Sequence, residues 1–175
     1  MSTMYDVAII GGGPAGVAAG VYAARKRLKT VFITKDFEGQ SAVSTDIQNW
    51  IGTITIGGME LAENLEKHLR AYAGEFVDIK TNQLATSVMQ ENNIFTITTT
   101  KDTFLAKTVL ITSGSRRRQL EVPGAKEFDN KGLTYCASCD GPLFADMDVA
   151  VVGGGNAAFD TAAQLAAYCS SVTVL

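Results

Sequence analysis

The sequence predicts an α/β fold in which parallel strands and helices alternate in two copies of one βαβ unit. Short apolar segments end directly in glycines at two points of the chain, which is typical of buried parallel strands. An alanine-rich segment that suits a helix follows each glycine cluster. Between the two copies, short segments with turn residues between them favour antiparallel strands.

The first βαβ unit occupies the start of the chain. We expect a strand at Tyr5–Ile10, a glycine turn, a helix at Pro14–Arg27 and a second strand at Thr30–Thr34. Pro14 is compatible with this helix because proline is tolerated in the first helical turn. This order of elements within about thirty residues is that of a βαβ unit.

The middle of the chain predicts one helix and a group of strands. Apolar residues recur at spacings of four and three through Met59–Tyr72, as on one face of an amphipathic helix, at Leu61, Leu65, Leu69 and Tyr72. Short strands that we expect to be antiparallel follow this helix, and a further buried strand then ends at Ser113 and Gly114. These strands are Phe76–Ile79, Ala85–Met89, Ile94–Thr99 and Thr103–Ala106, with Thr108–Thr112 as the buried strand.

The last third of the chain repeats the opening pattern. Ser115–Gly124 is charged and contains Val122-Pro123-Gly124, which makes it the best linker in the sequence. We then expect a strand at Asp148–Val152, a helix at Ala157–Tyr168 and a strand at Val172–Leu175. The linker predicts two domains, residues 1–115 and residues 116–175.

Composition and charge limit the classes of function. The 175 residues are 46% hydrophobic and 19% charged, as in an ordinary globular protein. A net charge of −3 argues against a nucleic-acid partner, because phosphate binding needs a basic surface. We interpret the basic run Arg116-Arg117-Arg118 as a solvated loop. No apolar segment approaches the roughly 20 residues that a bilayer requires and no signal peptide is recognisable, so we expect a cytoplasmic protein without a membrane partner.

The first glycine turn has the composition and the context of a dinucleotide-binding turn. Its GxGxxG sequence permits a tight turn at Gly11, close approach of a pyrophosphate at Gly13 and close helix packing at Gly16. Free N–H groups at the start of the helix favour an anionic ligand. An acidic residue for the ribose hydroxyls is expected after the second strand, where Asp36 and Glu38 both qualify and Asp36 is favoured.

The second glycine turn has an alanine at the third position of the pattern, which is an accepted variant. It predicts a second nucleotide site formed by Gly153, Gly155, Asn156, Ala157 and Ala158. In such a unit the residues that distinguish NADH from NADPH follow the second strand, which here means after Leu175.

A C-x-x-C pair, Cys136 and Cys139, lies between the two glycine turns. Its spacing suits a redox disulfide, and a flavin is the group that could mediate between such a dithiol and a nicotinamide. Zinc and inert buried thiols are the alternatives, but zinc prefers four ligands and only Cys169 and His68 remain. We therefore expect no metal.

Asp140 is the nearest candidate general acid/base for the dithiol, because the one histidine is distant in sequence. The alternative is a turn residue, since Asp140-Gly141-Pro142 is a good turn sequence with or without chemistry.

These residues resemble the low-molecular-weight thioredoxin reductase family, which includes the flavoprotein subunit of alkyl hydroperoxide reductase. The resemblance lies in Cys136-x-x-Cys139-Asp140-Gly141-Pro142-Leu143-Phe144 and Val149-Ala150-Val151-Val152-Gly153-Gly154-Gly155-Asn156, and it covers the whole chain. It implies a Rossmann-like, three-layer FAD/NAD(P)-binding domain with a β-meander, followed by the start of a second Rossmann-like domain. FAD would bind in the first domain, and NADPH or NADH in the domain with the cysteines.

The resemblance also implies roles for individual residues. Cys136 would attack the partner, Cys139 would face the flavin and Asp140 would manage protons. Glu38 stands where the family has a glycine. The implied FAD contacts are Gly12, Gly13, Pro14 and Ala15 at the pyrophosphate, Gly39, Gln40 and Asn49 towards the flavin, Ala85 at the adenine, and Ser113 and Gly114 in the closing turn.

The implied function is a disulfide reductase in which electrons pass from NAD(P)H through FAD to Cys136–Cys139 and on to a thioredoxin-like protein. The two domains would rotate about Ser115–Val122, and the full-length protein would be a homodimer. A peroxiredoxin-system reductase, a small-molecule dithiol oxidase and a catalytically incomplete nucleotide-binding fragment remain as alternatives. We expect the chain to be a piece of a longer reductase, because it ends on the second strand of a Rossmann unit.

Overall fold

A six-stranded sheet organises the first of the two units into which the chain divides, Met1–Arg116 and Arg117–Leu175. The computed structural model describes residues 3–115 and 118–175. In the first unit the strand order is β3-β2-β1-β6-β5-β4. The strands are β1 (Met4–Ile10), β2 (Thr30–Ile33), β3 (Val77–Lys80), β4 (Ala85–Glu91), β5 (Ile94–Thr99) and β6 (Thr103–Ile111).

Strand direction separates a parallel half of this sheet from an antiparallel half. β1 pairs in parallel with both β2 and β6, and β2 pairs in parallel with β3. β4, β5 and β6 form an antiparallel β-meander. The mixed α/β fold with a mainly parallel sheet confirms the predicted Rossmann-like class.

Two helices cover one face of the sheet, α1 (Pro14–Arg25) and α2 (Gly58–Ala73). Ile9 of β1 and Phe32 of β2 are buried against Val17 of α1 and Leu69 of α2. The neighbouring strand residues Ala8 and Val31 point to the opposite face because strand side chains alternate. There they pack with residues of the meander: Ile97, Phe104 and Ala106.

The second unit repeats the strand–helix–strand order. A one-turn helix, α3 (Ala137–Asp140), and a 3₁₀ turn at Gly141–Phe144 precede β7. β7 (Asp148–Val151) and β8 (Ser171–Val174) pair in parallel, and α4 (Asn156–Leu165) lies between them in sequence. Val151, Ala158 and Leu165 form its buried cluster.

The direction of one strand was predicted wrongly. The segment expected as an antiparallel strand at Phe76–Ile79 forms β3, which lies parallel to β2. It follows a helix that crosses back over the sheet, and such crossovers return the chain in the same direction. A four-residue apolar segment carries no signal that distinguishes the two directions.

The strands expected separately at Thr103–Ala106 and Thr108–Thr112 are one continuous strand, β6. Lys107 does not break it, because its Nζ lies 2.7 Å from Oδ1 of Asp6 on β1. The second half of β6 is also not buried as predicted, since Leu110 and Ile111 are 43% and 65% exposed.

Several element ends differ from the prediction by two or three residues. α1 ends at Arg25, and Arg27 has a φ of 57° that is incompatible with the helix. α4 ends at Leu165 instead of Tyr168. Of the predicted basic run, Arg118 is exposed, whereas Arg116 and Arg117 lie outside the described residues.

Within the described part of the chain, no helix is both long and apolar enough to cross a membrane.

Candidate functional site

The first glycine turn connects β1 to α1 and is tightly closed on its inner side. A Cβ added at Gly16 would lie 1.9 Å from the carbonyl oxygen of Gly11, and one added at Gly12 would lie 2.3 Å from the carbonyl oxygen of Asp36. Gly11 has a φ of 119°, a conformation that L residues with a side chain rarely adopt. The backbone of this turn therefore packs against itself and against the end of β2, where only glycine fits.

Gly13 differs from its neighbours because it faces open space. A Cβ at Gly13 would meet nothing within 4 Å. Gly13 is the N-cap of α1 with an extended backbone, φ −73° and ψ −178°, and no acidic side chain lies in the first helical turn. The free N–H groups and the positive end of the helix dipole are therefore open to an anionic ligand. This cradle fits a pyrophosphate.

The loop after β2 lines the same turn. Gly39 approaches it closely, because a Cβ there would lie 3.3 Å from Cα of Gly13. Oδ1 of Asp36 accepts the backbone N–H of Glu38 at 3.2 Å, and its Oδ2 lies 3.6 Å from Nζ of Lys35. Asp36 is thus oriented by its own loop, whereas Glu38 is exposed.

The other candidate residues of the first unit differ in how directly they reach this edge of the sheet. The backbone of Thr112 and Ser113 abuts Gly11, which brings the Ser113-Gly114 turn to the glycine turn. The backbone N–H of Gln83 donates to the Thr34 carbonyl at 3.2 Å, and Ala85 begins β4 two residues after Gln83. Gln40 caps the 3₁₀ turn Ser41–Val43. Among the described contacts, none joins the exposed Asn49 to the glycine turn.

The second glycine turn, between β7 and α4, has a similar arrangement. Gly153 has a φ of 137°, and a Cβ there would lie 3.4 Å from Cβ of the buried Ala158. Gly155 is the extended N-cap of α4, with φ −98° and ψ 176°, and a Cβ there would meet nothing within 4 Å. Asn156 and Ala157 begin the helix and are exposed. This cradle also fits a phosphate group.

Cys136 and Cys139 form a disulfide with a Cα–Cα distance of 5.2 Å. Cys136 is the N-cap of α3 and is partly buried, whereas Cys139 is exposed. Cys169 is a free thiol whose Sγ lies 3.2 Å from the carbonyl oxygen of Phe144. Among the described residues, no group of three or more histidine, cysteine or acidic side chains could hold a metal ion.

The sequence model for the pyridine nucleotide-disulphide oxidoreductases matches residues 5–175. This chain belongs to that family. The resemblance to its thioredoxin reductase members is confirmed.

Two curated members of the family illustrate the similarity. A protein named NADH dehydrogenase from Bacillus subtilis (strain 168) is 40% identical over 172 residues, which are 98% of this chain and 33% of that protein. The alkyl hydroperoxide reductase flavoprotein of Escherichia coli (strain K12) is 37% identical over 172 residues, again 98% of this chain and 33% of that protein. The chain thus spans about a third of the length of these relatives.

Among solved structures, thioredoxin reductase from Streptococcus pyogenes MGAS5005 matches with a TM-score of 0.88 and 36% identity, covering 99% of this chain and 56% of that chain. Thioredoxin reductase from Giardia duodenalis matches with a TM-score of 0.90 and 31% identity, covering 99% and 56%. A member of this oxidoreductase family with this fold is expected to use a flavin and a nicotinamide cofactor.

Asp140, the last residue of α3, has a hydrogen-bonded side chain in this family member. The hydroxyl of Thr134 donates to Oδ2 of Asp140, and the same hydroxyl oxygen accepts the backbone N–H of Cys136 at 3.4 Å. On the other side of α3, Oγ of Ser138 donates to Oε1 of Gln164 on α4 at 3.0 Å. The short helix with both cysteines is therefore fixed to the rest of its unit.

Three threonines at these sites were missed in the sequence. The hydroxyl of Thr34 donates to the Asp36 carbonyl at 2.5 Å, and that of Thr112 donates to the Ile10 carbonyl at 2.9 Å. Thr134 is the third. Each lies beside a glycine or cysteine motif, and hydroxyls that bond to nearby backbone are common at such turns. The adjacency was the available signal, but threonine is also an ordinary strand residue.

Proposed function

We propose that this chain contributes to a flavin-dependent disulfide reductase, in which electrons pass from NAD(P)H through FAD to Cys136–Cys139 and on to a thioredoxin-like protein. The observation that carries the proposal is the presence in one chain of two open glycine cradles and a disulfide with an exposed cysteine. Membership of the family supports the same conclusion.

In this proposal, residues 1–115 belong to the FAD-binding domain. The backbone N–H groups of Gly13 and Ala15 would hold the pyrophosphate, because the turn leaves this side open, while Pro14 between them has no N–H to donate. Asp36, which its own loop orients, would accept hydrogen bonds from the ribose hydroxyls. Ser113 and Gly114 would close the turn.

Residues 116–175 would belong to the NAD(P)H-binding domain. Gly155 and the start of α4 would hold the nicotinamide nucleotide by its phosphates, since this position is open and no acidic side chain lies in the first turn of α4. Titration of the protein with NADH and with NADPH would distinguish the two nucleotides.

A bound flavin supplies the exchange between a two-electron hydride and a dithiol, which no side chain of this chain can provide. The residues do the rest. Cys136 would attack the disulfide of the partner, and Cys139 would then displace the partner by attacking Cys136. Asp140 would take the proton from the attacking thiol and give it to the departing one.

The proposed partner is a thioredoxin-like protein, because the solved structures similar to this chain are thioredoxin reductases. A peroxiredoxin-system partner is the second candidate, and the observation that favours it is the 37% identity to an alkyl hydroperoxide reductase flavoprotein. Oxidised thioredoxin and an oxidised peroxiredoxin, offered separately to the reduced protein, would distinguish the two. A homodimer and a cytoplasmic location stay predictions.

Gel filtration of the purified protein with added FAD tests the flavin site. The proposal predicts a flavin absorbance band that elutes with the protein peak. A colourless protein that keeps its circular dichroism spectrum would contradict the flavin site and favour a structural nucleotide-fold fragment. A Gly154→Ala variant is the matched control, since its added Cβ meets nothing within 4 Å and it lies in the other unit.

A further inference from the structure

The hydroxyl of Thr134 links the peptide of the first cysteine to the carboxylate that follows the second. Its oxygen accepts the backbone N–H of Cys136 at 3.4 Å, and its proton is donated to Oδ2 of Asp140. Thr134 and Asp140 are both partly buried, so this hydrogen bond is less exposed to competition from water than one on the open surface. One hydroxyl thus fixes two features of the dithiol turn relative to each other.

The backbone of the turn is held in place without Thr134. The N–H groups of Cys139 and Asp140 donate to the Cys136 carbonyl at 3.1 and 2.9 Å. Gly141 packs so closely against α4 and its continuation that an added Cβ would lie 2.2 Å from the hydroxyl oxygen of Tyr168. These contacts fix where the peptide of Asp140 lies.

The side chain of Asp140 is a different matter, because its carboxylate can rotate about two bonds while the peptide stays fixed. Among the side chains that the structure describes, the hydrogen-bond partner of this carboxylate is Thr134. Threonine is well suited to hold it, since branching at Cβ restricts the rotation of its own hydroxyl group.

The geometry points to Thr134 as a positioning residue that holds the Asp140 carboxylate in the orientation needed for proton exchange with the Cys136–Cys139 dithiol. This inference rests on the proposed function, in which Asp140 exchanges protons during thiol–disulfide exchange. Thr134 acts only through Asp140, because its hydroxyl proton is already committed to that carboxylate.

The step that Thr134 assists balances in atoms and electrons. As the sulfur of Cys136 attacks an alkyl disulfide, its thiol proton passes to Asp140, the disulfide bond breaks, and the departing alkyl thiolate takes that proton. Cys139 then attacks the sulfur of Cys136 in the same way, with Asp140 again receiving and returning one proton. The dithiol is oxidised to a disulfide and the alkyl disulfide is reduced to two thiols.

The test compares Thr134→Val with Thr134→Ser, each with and without Asp140→Asn. Valine keeps the shape of the side chain without its hydroxyl, and serine keeps the hydroxyl. The reduced protein is oxidised by hydroxyethyl disulfide, and the loss of thiols is followed with time. Circular dichroism reports whether each variant keeps its fold.

We expect Thr134→Val to react about tenfold more slowly, the size of one lost hydrogen bond to a charged group. Thr134→Ser should react at nearly the original rate. In the Asp140→Asn background, Thr134→Val should cause no further loss, because residues that act through one another are not additive. An unchanged rate in Thr134→Val, or an equal loss in both backgrounds, would overturn the inference.

A second measurement separates positioning from a general loss of structure. An aromatic nitrobenzoate disulfide (Ellman's reagent) releases a thiolate that departs without a proton, so Thr134→Val should slow its reaction less than that of the alkyl disulfide. Equal slowing would instead indicate a structural role. Reduction of the disulfide by NAD(P)H in the FAD-supplemented protein, measured on the original sequence, reports on the proposed function independently of Thr134.

Discussion

Replacement of Gly13 by alanine separates ligand binding from folding at the first glycine turn. Alanine is compatible with the backbone there, because φ is −73° and ψ is −178°. The added Cβ meets nothing within 4 Å in the protein itself. A bound pyrophosphate, however, would have to occupy the space that the methyl group takes.

The expected changes in free energy differ in size. A compatible glycine-to-alanine change stabilises a protein by about 0.4–1 kcal/mol through the unfolded state, whereas alanine is a poorer N-cap than glycine by a similar amount. We therefore expect the stability of Gly13→Ala to stay within about 0.5 kcal/mol of the original, or about 2 °C in Tm. FAD binding should weaken by at least tenfold, which is about 1.4 kcal/mol.

The assay pairs thermal unfolding without FAD, followed by circular dichroism, with FAD titration followed by the quenching of flavin fluorescence. Gly16→Ala serves as the contrasting variant. Its Cβ would lie 1.9 Å from the carbonyl oxygen of Gly11, so it should lose more than about 2 kcal/mol of stability. If Gly13→Ala binds FAD with the original affinity, the assignment of this turn to the pyrophosphate is refuted.

The remaining predictions concern the second turn and two titrating groups. Gly155→Ala should weaken binding of NADH or NADPH at least tenfold without changing FAD affinity, by the same steric argument, and equal nucleotide affinities in a titration would contradict it. Burial, followed by the hydrogen bond and charge of Asp78, raises the pKa of Tyr5 from 10.0 to about 12. The stabilisation that this shift represents is complete below pH 10.0 and is lost as the pH rises through about 12, so Tyr5→Phe should flatten the alkaline decline of stability in urea titrations, and an unaltered decline would count against this reasoning. The hydrogen bond from Lys107 holds the pKa of Asp6 below its usual 3.8, which adds stability above that pH and loses it as the pH falls through the lowered value; Lys107→Met should therefore move acid unfolding to higher pH, and an unchanged acid midpoint would exclude this contribution.

Local signals were sufficient to predict the parts of the fold that depend on local backbone. The glycines between β1 and α1 could be placed because an apolar segment ended in them and a helix-forming segment followed. The direction of β3 could not be predicted in this way, since it is fixed by pairing with β2 across forty-odd residues of chain. The continuity of β6 through Lys107 likewise depends on Asp6 of a distant strand.

The candidate site shows the same division between local and distant causes. Glycines and a C-x-x-C pair are specific signals, because few other roles require those residues at that spacing. The role of Gly13 as the open position, in contrast to Gly12 and Gly16, emerges only when the end of β2 is in place beside the turn. Thr134 could not be singled out for the same reason, since its contact with Asp140 needs the turn of α3 to bring the two side chains together.

Counting thiols after anaerobic addition of NADH or NADPH to the FAD-supplemented protein tests the central claim most directly. Before reduction, the free thiol is Cys169 and the disulfide is Cys136–Cys139. The account predicts two additional thiols per chain, which are absent when Cys136 and Cys139 are both replaced by serine. A flavin that is reduced by the nicotinamide while the disulfide stays oxidised would contradict the account.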